Sequence, residues 1–280
     1  MYDFLNGNEK YVASDKLRKT VRRNIMKNKI AYTAKTVGGT LAVLVVAFSL
    51  SVNVSPSLAM AMSDVPVLGS VVRVVTFNRY ENKIGGSEAE IVTPKIEGLE
   101  NEELMNEIND ALGENAHKLI AEFEKEALLL KEEYGDNAHM GVGSDYIVRT
   151  DTDEYYALDV FYYNTVGSSS TVHKFYTIDK KTGELVSLDG LFKENSDYVS
   201  VISEIVKDEM RRRNKEEEGL FWIEDDEFTD SFEEIKENQN FFINEEGNIV
   251  ICFDKYEVAA GAQGTPEFEI EKELIKEILK

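Results

Sequence analysis

Residues 36–63 contain no charged side chain, and this stretch constrains the chain more than any other feature of the sequence. Its densest part, residues 41–54, consists mainly of valine, leucine, alanine and phenylalanine. A helix needs about 20 mainly apolar residues to cross the hydrocarbon layer of a membrane. The sequence therefore predicts a transmembrane signal-anchor helix over residues 36–63.

Charge is distributed unequally on the two sides of this span. Residues 1–35 contain nine Lys/Arg and three Asp/Glu, whereas residues 64–280 contain 22 Lys/Arg and 50 Asp/Glu. Basic flanking segments stay on the cytoplasmic side of a membrane. We therefore expect a single-pass protein of the cell membrane, with residues 1–35 as a cytoplasmic basic arm and the C-terminal part outside the cell.

The span also has the layout of a secretory signal. A positive region, an apolar run and small residues at Ala59 and Ala61 fit a small-x-small cleavage site. Cleavage would follow Ala61 or, in a second register, Ala59. The residues leave two interpretations open: an ordinary signal anchor, or an anchor that is cut only under some condition.

Two segments flank the span. In the arm, Leu17, Val21 and Ile25 recur every four residues among basic side chains. This pattern fits a helix lying on anionic lipid, or a helix that docks into a groove of a cytosolic protein. After the span, the linker at residues 64–76 is apolar but too short to cross a membrane. It either packs on the membrane or docks onto the outer domain as a strand or helix.

The outer part has the alternation and periodicity of an α+β fold, in which an antiparallel sheet packs with long helices. We expect two subdomains, over residues 77–170 and 171–280. The predicted elements are a strand pair over 77–96 that turns at 84–87, strands at 145–150, 155–165, 171–178, 240–242, 249–253 and 267–270, a loop at 167–170, and helices over 102–134, 196–217 and at the C-terminus.

No arrangement of side chains favours catalysis, a cofactor or a metal site. His117, His139 and His173 lack the spacing of metal ligands, and Cys252 alternates within a predicted strand and is expected in the core. Neither a glycine-rich phosphate cradle nor a serine elbow occurs. We therefore predict that the protein is not an enzyme. Its acidity argues against nucleic acid and favours a cationic partner.

The loop predicted at residues 254–266 combines an aromatic side chain, small residues and two glycines. Such a composition allows the backbone to approach a partner closely. It fits a structural crossover between two strands equally well.

Four stretches of the outer part carry a family resemblance: VPVLGSVVRVVTF (65–77), VTPKIEGLENEELMNEINDAL (92–112), FYTIDKKTGELVSLDGLF (175–192) and FDKYEVAAGAQGTPEFEI (253–270). The last two resemble the C-terminal ectodomain of the anti-sigma-V factor family of Gram-positive bacteria. The second is similar to the small domain that precedes this ectodomain and also occurs beside polysaccharide deacetylases. The first follows the anchor, as the resemblance requires.

The resemblance implies a membrane anti-sigma factor. Its arm would sequester an extracytoplasmic-function (ECF) sigma factor, through Leu17, Val21 and Ile25, and its ectodomain would be a receptor for lysozyme. Lysozyme binding would expose the anchor to signal peptidase at Ala61 or Ala59, after which an intramembrane site-2 protease would free the sigma factor.

The same resemblance implies that ectodomain loops enter the lysozyme cleft. Ala260 and Gln263 stand where we expect proline- and tyrosine-type residues in relatives. Two alternatives stay open: a non-catalytic cell-wall or surface binding protein related to the accessory domains of peptidoglycan deacetylases, and a surface protein without signalling. The implied ligand-binding residues are Ser168, Ser169, Tyr256, Glu257, Ala260, Gly261, Ala262, Gln263 and Gly264.

Overall fold

A computed structural model describes residues 72–216, 220–223 and 231–280. The basic arm with Leu17, Val21 and Ile25, the predicted span, and Ala59 and Ala61 lie outside these described residues. Within the described ranges, no helix combines the length and the apolar character needed to cross a membrane.

The first of two sheets contains six strands in the order β1-β2-β3-β4-β5-β6. The predicted strand pair that turns at residues 84–87 is confirmed, and Gly85 adopts a φ of 61° in that turn. Residues 73–76 of the predicted linker belong to the first strand, so this part docks onto the outer domain. The strands are β1 (Arg73–Ile84), β2 (Ser87–Glu97), β3 (Gly141–Asp151), β4 (Tyr155–Val166), β5 (Ser168–Asp179) and β6 (Glu184–Leu185).

Helix α1 (Glu102–Tyr134) links β2 to β3 and has the predicted bounds. Asn101 caps it, because its side chain accepts the backbone N–H of Leu104 at 3.1 Å. Since this helix carries the chain back along the sheet, β3 runs parallel to β2, and the prediction of a wholly antiparallel sheet is wrong for this pair. The buried side chains of α1 recur at helical spacing: Ile108, Leu112, Ala116, Leu119, Phe123 and Ala127.

The prediction of a loop at residues 167–170 holds for Gly167 and is wrong for residues 168–170. Strand β4 ends at Val166, β5 begins at Ser168, and the two strands pair up to these ends. Gly167 alone turns the chain with a φ of 78°, a conformation that glycine adopts without steric cost. The serines after it extend β5 because pairing with β4 satisfies their backbone groups. The predicted subdomain boundary at 170/171 therefore falls inside β5.

The C-terminal part forms a three-stranded antiparallel sheet with two helices. Helix α2 starts two residues later than predicted, because Asp197 accepts the N–H of Ser200 at 3.2 Å as its cap. Cys252 is buried, as predicted. The elements are α2 (Tyr198–Glu216), β7 (Phe241–Ile243), β8 (Ile249–Cys252), β9 (Glu267–Ile270) and α3 (Lys272–Ile275).

The two sheets meet on the outer face of the six-stranded sheet, the face turned away from α1. Side chains alternate along a strand, so β4 directs Leu158 toward α1 and Ala157 toward the second sheet. Phe175 and Phe242 stack across this junction with ring centroids 5.6 Å apart. Strand β4 is thus buried on both faces along its first half.

Asn109 of α1 provides a direct test of the helix–sheet junction. Its side chain accepts the backbone N–H of Ile96 at 2.8 Å and donates to the carbonyl oxygen of Ile96 at 2.9 Å, where the pairing of β2 with β3 has ended. We expect Asn109→Ala to lower the free energy of unfolding by about 1–3 kcal/mol, measured by urea denaturation, because two backbone groups lose their partner. The exposed Asn106→Ala is the matched control and should change it by less than about 0.5 kcal/mol. Equal free energies of unfolding for Asn109→Ala and Asn106→Ala would contradict a stabilising role of the Asn109 side chain.

Candidate functional site

The structure brings the two implied ligand-binding stretches together. The hydroxyl groups of Ser168 and Tyr256 lie 3.0 Å apart, although the residues are separated by 88 positions. Next to them, Lys255 Nζ donates a hydrogen bond to Ser169 Oγ. We call residues 167–170 together with residues 254–266 the turn–loop surface.

Lys255 connects the two halves of this surface and was not singled out from the sequence. Its side chain is buried, with 7% exposure, and Nζ lies 5.3 Å from the ring centroid of Tyr256. Its backbone N–H points to the carbonyl oxygen of Thr171 at 3.5 Å. A buried ammonium group is costly unless its donors are satisfied, so Ser169 contributes to holding it there. A lysine in an acidic loop gives no sequence signal of such burial.

Tyr256 presents the exposed aromatic ring of the surface, with 39% exposure. Its backbone adopts a φ of 69°, which is uncommon for a residue other than glycine. The ring lies over Gly261, where any side chain would overlap it. The glycine predicted to allow close approach of a partner therefore allows close approach of the protein's own tyrosine.

The remainder of the C-terminal loop is held by residues 220–223. The backbone N–H of Ala260 donates to the carbonyl oxygen of Leu220 at 3.1 Å, and that of Trp222 donates to Val258 at 3.0 Å. A short 3-10 turn over Gly261–Gln263 follows, with Ala262 exposed and Gly264 at a φ of 68°.

Glu257 faces inward, unlike its neighbour Tyr256. Its carboxylate accepts the N–H of Asp254 at 2.8 Å and pairs with Lys236 Nζ at 2.7 Å. Within the turn–loop surface, Ser168, Tyr256 and Ala262 are therefore the implied ligand-binding residues whose side chains face solvent.

A half-buried acidic group, Asp254, lies at the start of the loop. The carboxylate of Asp254 accepts the backbone N–H of His173 at 2.9 Å. Burial, together with the nearby charge of Glu257, raises the pKa of Asp254 to about 7. The first residue of the loop is thus tied to β5 by a carboxyl group that titrates near neutrality.

His173 belongs to a second buried ion pair, with Asp159. His173 Nδ1 lies 2.9 Å from Asp159 Oδ1, and Asp159 is fully buried. Burial opposes the charged imidazole, but the hydrogen bond to Asp159 and the charges of Asp159, Asp254 and Glu267 outweigh it and raise the pKa of His173.

Arg149 links this pair to the second sheet, and the cluster was missed from the sequence. Arg149 Nη1 lies 3.6 Å from Asp159 Oδ2, and Nη2 lies 2.5 Å from Glu267 of β9. The sequence signal for this cluster is Asp159, a single charged residue inside the apolar strand YYALDVFYY, because a charge buried in a strand requires a partner. Once Gly167 is recognised as the turn, pairing places Asp159 and His173 diagonally on one face. Within the described part of the chain, no group of His, Cys, Asp and Glu side chains is arranged to hold a metal ion.

The titration of Asp254 predicts a specific pH dependence. Because the pKa of Asp254 rises from 3.8 to about 7 on folding, this residue ionises first in the unfolded chain, and its contribution to stability falls as the pH rises from about 4 to 7. Asp254→Asn should remove this loss. We expect its free energy of unfolding, relative to the wild type, to rise by roughly 4 kcal/mol across that range and then level off, measured by urea denaturation at each pH.

The exposed Asp110→Asn on α1 is the control for that experiment, because it removes the same charge without a buried carboxyl group. The difference in free energy of unfolding between Asp110→Asn and the wild type should stay nearly constant with pH. A constant difference for Asp254→Asn as well would show that Asp254 ionises normally in the folded protein.

Comparison with known proteins gives one family match and two similar curated proteins. The family described as "Protein of unknown function (DUF3298)" matches residues 189–273, which include the second sheet and the C-terminal loop. The anti-sigma-V factor RsiV of Bacillus subtilis (strain 168) is 35% identical over 233 residues, which cover 83% of this chain and 79% of that protein. The peptidoglycan-N-acetylmuramic acid deacetylase PdaC of the same organism is 29% identical over 175 residues, which cover 62% of this chain and 36% of that protein.

Among solved structures, a member of the DUF3298 family from Bacteroides fragilis (NCTC 9343) is similar to this fold. It is 14% identical, covers 75% of this chain and 94% of its own, and has a TM-score of 0.55. At this identity the similarity shows the fold alone.

Proposed function

The chain belongs to the anti-sigma-V factor family, and from this premise we propose how this anti-sigma factor senses its signal. Its sigma-factor partner is an ECF sigma factor bound by the cytoplasmic arm, residues 1–35. Residues 36–63 cross the cell membrane once, and the outer part binds lysozyme through the turn–loop surface. The protein acts as a receptor and sequestering factor, without catalysis of its own.

The observation that carries this proposal is the contact between the two implied ligand-binding stretches. Ser168 and Tyr256, with hydroxyl groups 3.0 Å apart, offer a single surface rather than two separate loops. Tyr256 supplies an exposed ring at its centre, and tyrosine is enriched among the residues that dominate binding energy at interfaces.

Charge supports the choice of ligand. Residues 64–280 contain 50 acidic and 22 basic residues, and such a surface attracts a cationic protein such as lysozyme from a distance. Attraction of this kind speeds association and weakens with salt.

The signal then passes to the anchor by proteolysis. A ligand shifts cleavage only if it binds the cleavable conformation better than the protected one. We propose residues 65–75 as the element that changes state, because the linker ends in the first residues of β1, which begins at Arg73, and so connects the sheet to the anchor. Release of this element opens Ala61 or Ala59 to signal peptidase, and a site-2 protease then frees the sigma factor.

A second candidate is a non-catalytic cell-wall binding protein. The similarity to PdaC over 62% of this chain favours it, because that relative is a peptidoglycan-N-acetylmuramic acid deacetylase. The matched region covers 36% of PdaC, so a whole-protein activity is not transferred with it.

Binding of egg-white lysozyme to the full-length chain in detergent tests the receptor proposal. We expect Tyr256→Ala to weaken binding at least tenfold, because it removes the exposed ring of the surface. Tyr134→Ala at the end of α1, where the tyrosine is 44% exposed, is the matched control and should bind like the wild type. Binding of peptidoglycan without binding of lysozyme would favour the second candidate.

Substitution at the cleavage site tests the release step. The double variant Ala59→Phe and Ala61→Phe should bind lysozyme normally but shed no ectodomain when lysozyme is added to cells, because signal peptidase requires small residues there. Immunoblotting of the medium and the membrane measures shedding. Unchanged shedding from the double variant would remove both alanines from the mechanism.

A further inference from the structure

The outer face of the six-stranded sheet is only partly covered by the second sheet. The covered end contains Ala157 and Phe175, which pack against Phe242. Toward the Gly167 turn, the same face carries Phe161 and Tyr163, both half-buried. This end adjoins the turn–loop surface, since β5 borders both.

Two aromatic rings lie side by side on this open end. The rings of Phe161 and Tyr163 stack with centroids 6.4 Å apart and an angle of 26° between their planes. Tyr163 lies across β3 at Gly143, where any side chain would overlap its ring and the carbonyl oxygen of Glu90. The missing side chain at Gly143 therefore keeps the tyrosine flat against the sheet.

A carboxylate stands beside these rings. Asp145 pairs directly with Phe161 across β3 and β4, so the two side chains emerge on the same face as close neighbours. Asp145 is exposed and forms no salt bridge within residues 72–216, 220–223 and 231–280. Its one side-chain contact is a hydrogen bond from the backbone N–H of Tyr146 at 2.9 Å, which leaves its second oxygen available to a partner.

Stacked rings with an adjacent free carboxylate match the chemistry of a cationic side chain. The faces of aromatic rings attract ammonium and guanidinium groups, and a carboxylate adds a charge-assisted hydrogen bond. We propose that Phe161, Tyr163 and Asp145 form a second contact area, which receives an arginine or lysine side chain of the basic protein bound at the turn–loop surface. The occupant is a protein cation because Asp145 lies beside the rings and residues 64–280 contain 50 acidic against 22 basic residues; this inference rests on the proposed receptor function.

The test separates direct contact from general attraction. Removing any exposed carboxylate slows association slightly, whereas removing a contact speeds dissociation. We expect Asp145→Asn and Tyr163→Leu in the full-length protein to raise the dissociation rate of egg-white lysozyme about three- to tenfold. Asp110→Asn, on the opposite side of the sheet, should leave that rate unchanged.

The double variant adds a second readout. If the two side chains hold the same cation, the combined effect of Asp145→Asn with Tyr163→Leu is smaller than the product of the single effects. Melting temperatures show whether each variant is folded, and Phe161→Leu replaces Tyr163→Leu if the latter unfolds.

Three outcomes would overturn the inference. Dissociation rates equal to that of Asp110→Asn would reject the second contact area and leave the receptor proposal standing. Loss of binding to peptidoglycan fragments, with lysozyme binding unchanged, would assign the rings to a glycan. Failure of the wild type to bind lysozyme would reject both proposals together.

Discussion

The charge of one fully buried carboxylate, Asp159, has to be compensated where the two sheets meet, and the remaining architecture depends on this compensation. His173 on β5 and Arg149 on β3 provide it, and Arg149 continues the chain of charges to Glu267 on β9. Leaving such a charge unpaired costs several kcal/mol. Strands β3 and β5 must therefore pair with β4 in register before the second sheet can bury its outer face, where Glu267 meets Arg149.

The same cluster determines how the candidate binding surface is presented. The ring of His173 forms an ion pair with Asp159, and the backbone N–H of His173 donates to Asp254, the first residue of the C-terminal loop. Lys255, the next residue, is buried against Ser169. The loop is thus attached to the core at its start, and this attachment preorganises the candidate binding surface.

Acidic groups near the core and acidic groups on the exterior of the protein have different surroundings. Near the core, acidic groups are compensated by specific partners, as Glu257 is by Lys236. On the exposed face, Asp145 has no such ion pair among the described residues, and it lies next to aromatic rings. Inside the fold, paired charges connect specific elements, whereas the exposed carboxylate of Asp145 remains accessible at the surface.

The sequence by itself determined the features that depend on neighbouring residues. Helix α1, the β7–β8 hairpin and strand β9 follow from periodicity, capping and turn residues, all of which act within a few positions. The charge asymmetry around residues 36–63 is likewise a property of composition alone. Even so, the composition of the three serines after Gly167 predicts a loop, because local composition does not reveal that a neighbouring strand satisfies their backbone groups.

The tertiary structure alone decided which distant residues share a site. The parallel pairing of β2 with β3, the burial of Lys255 and the contact between Ser168 and Tyr256 all join residues far apart along the chain. Such contacts form only when the register of several strands is settled together, and the free energy that selects this register comes from packing and charge compensation across the whole fold.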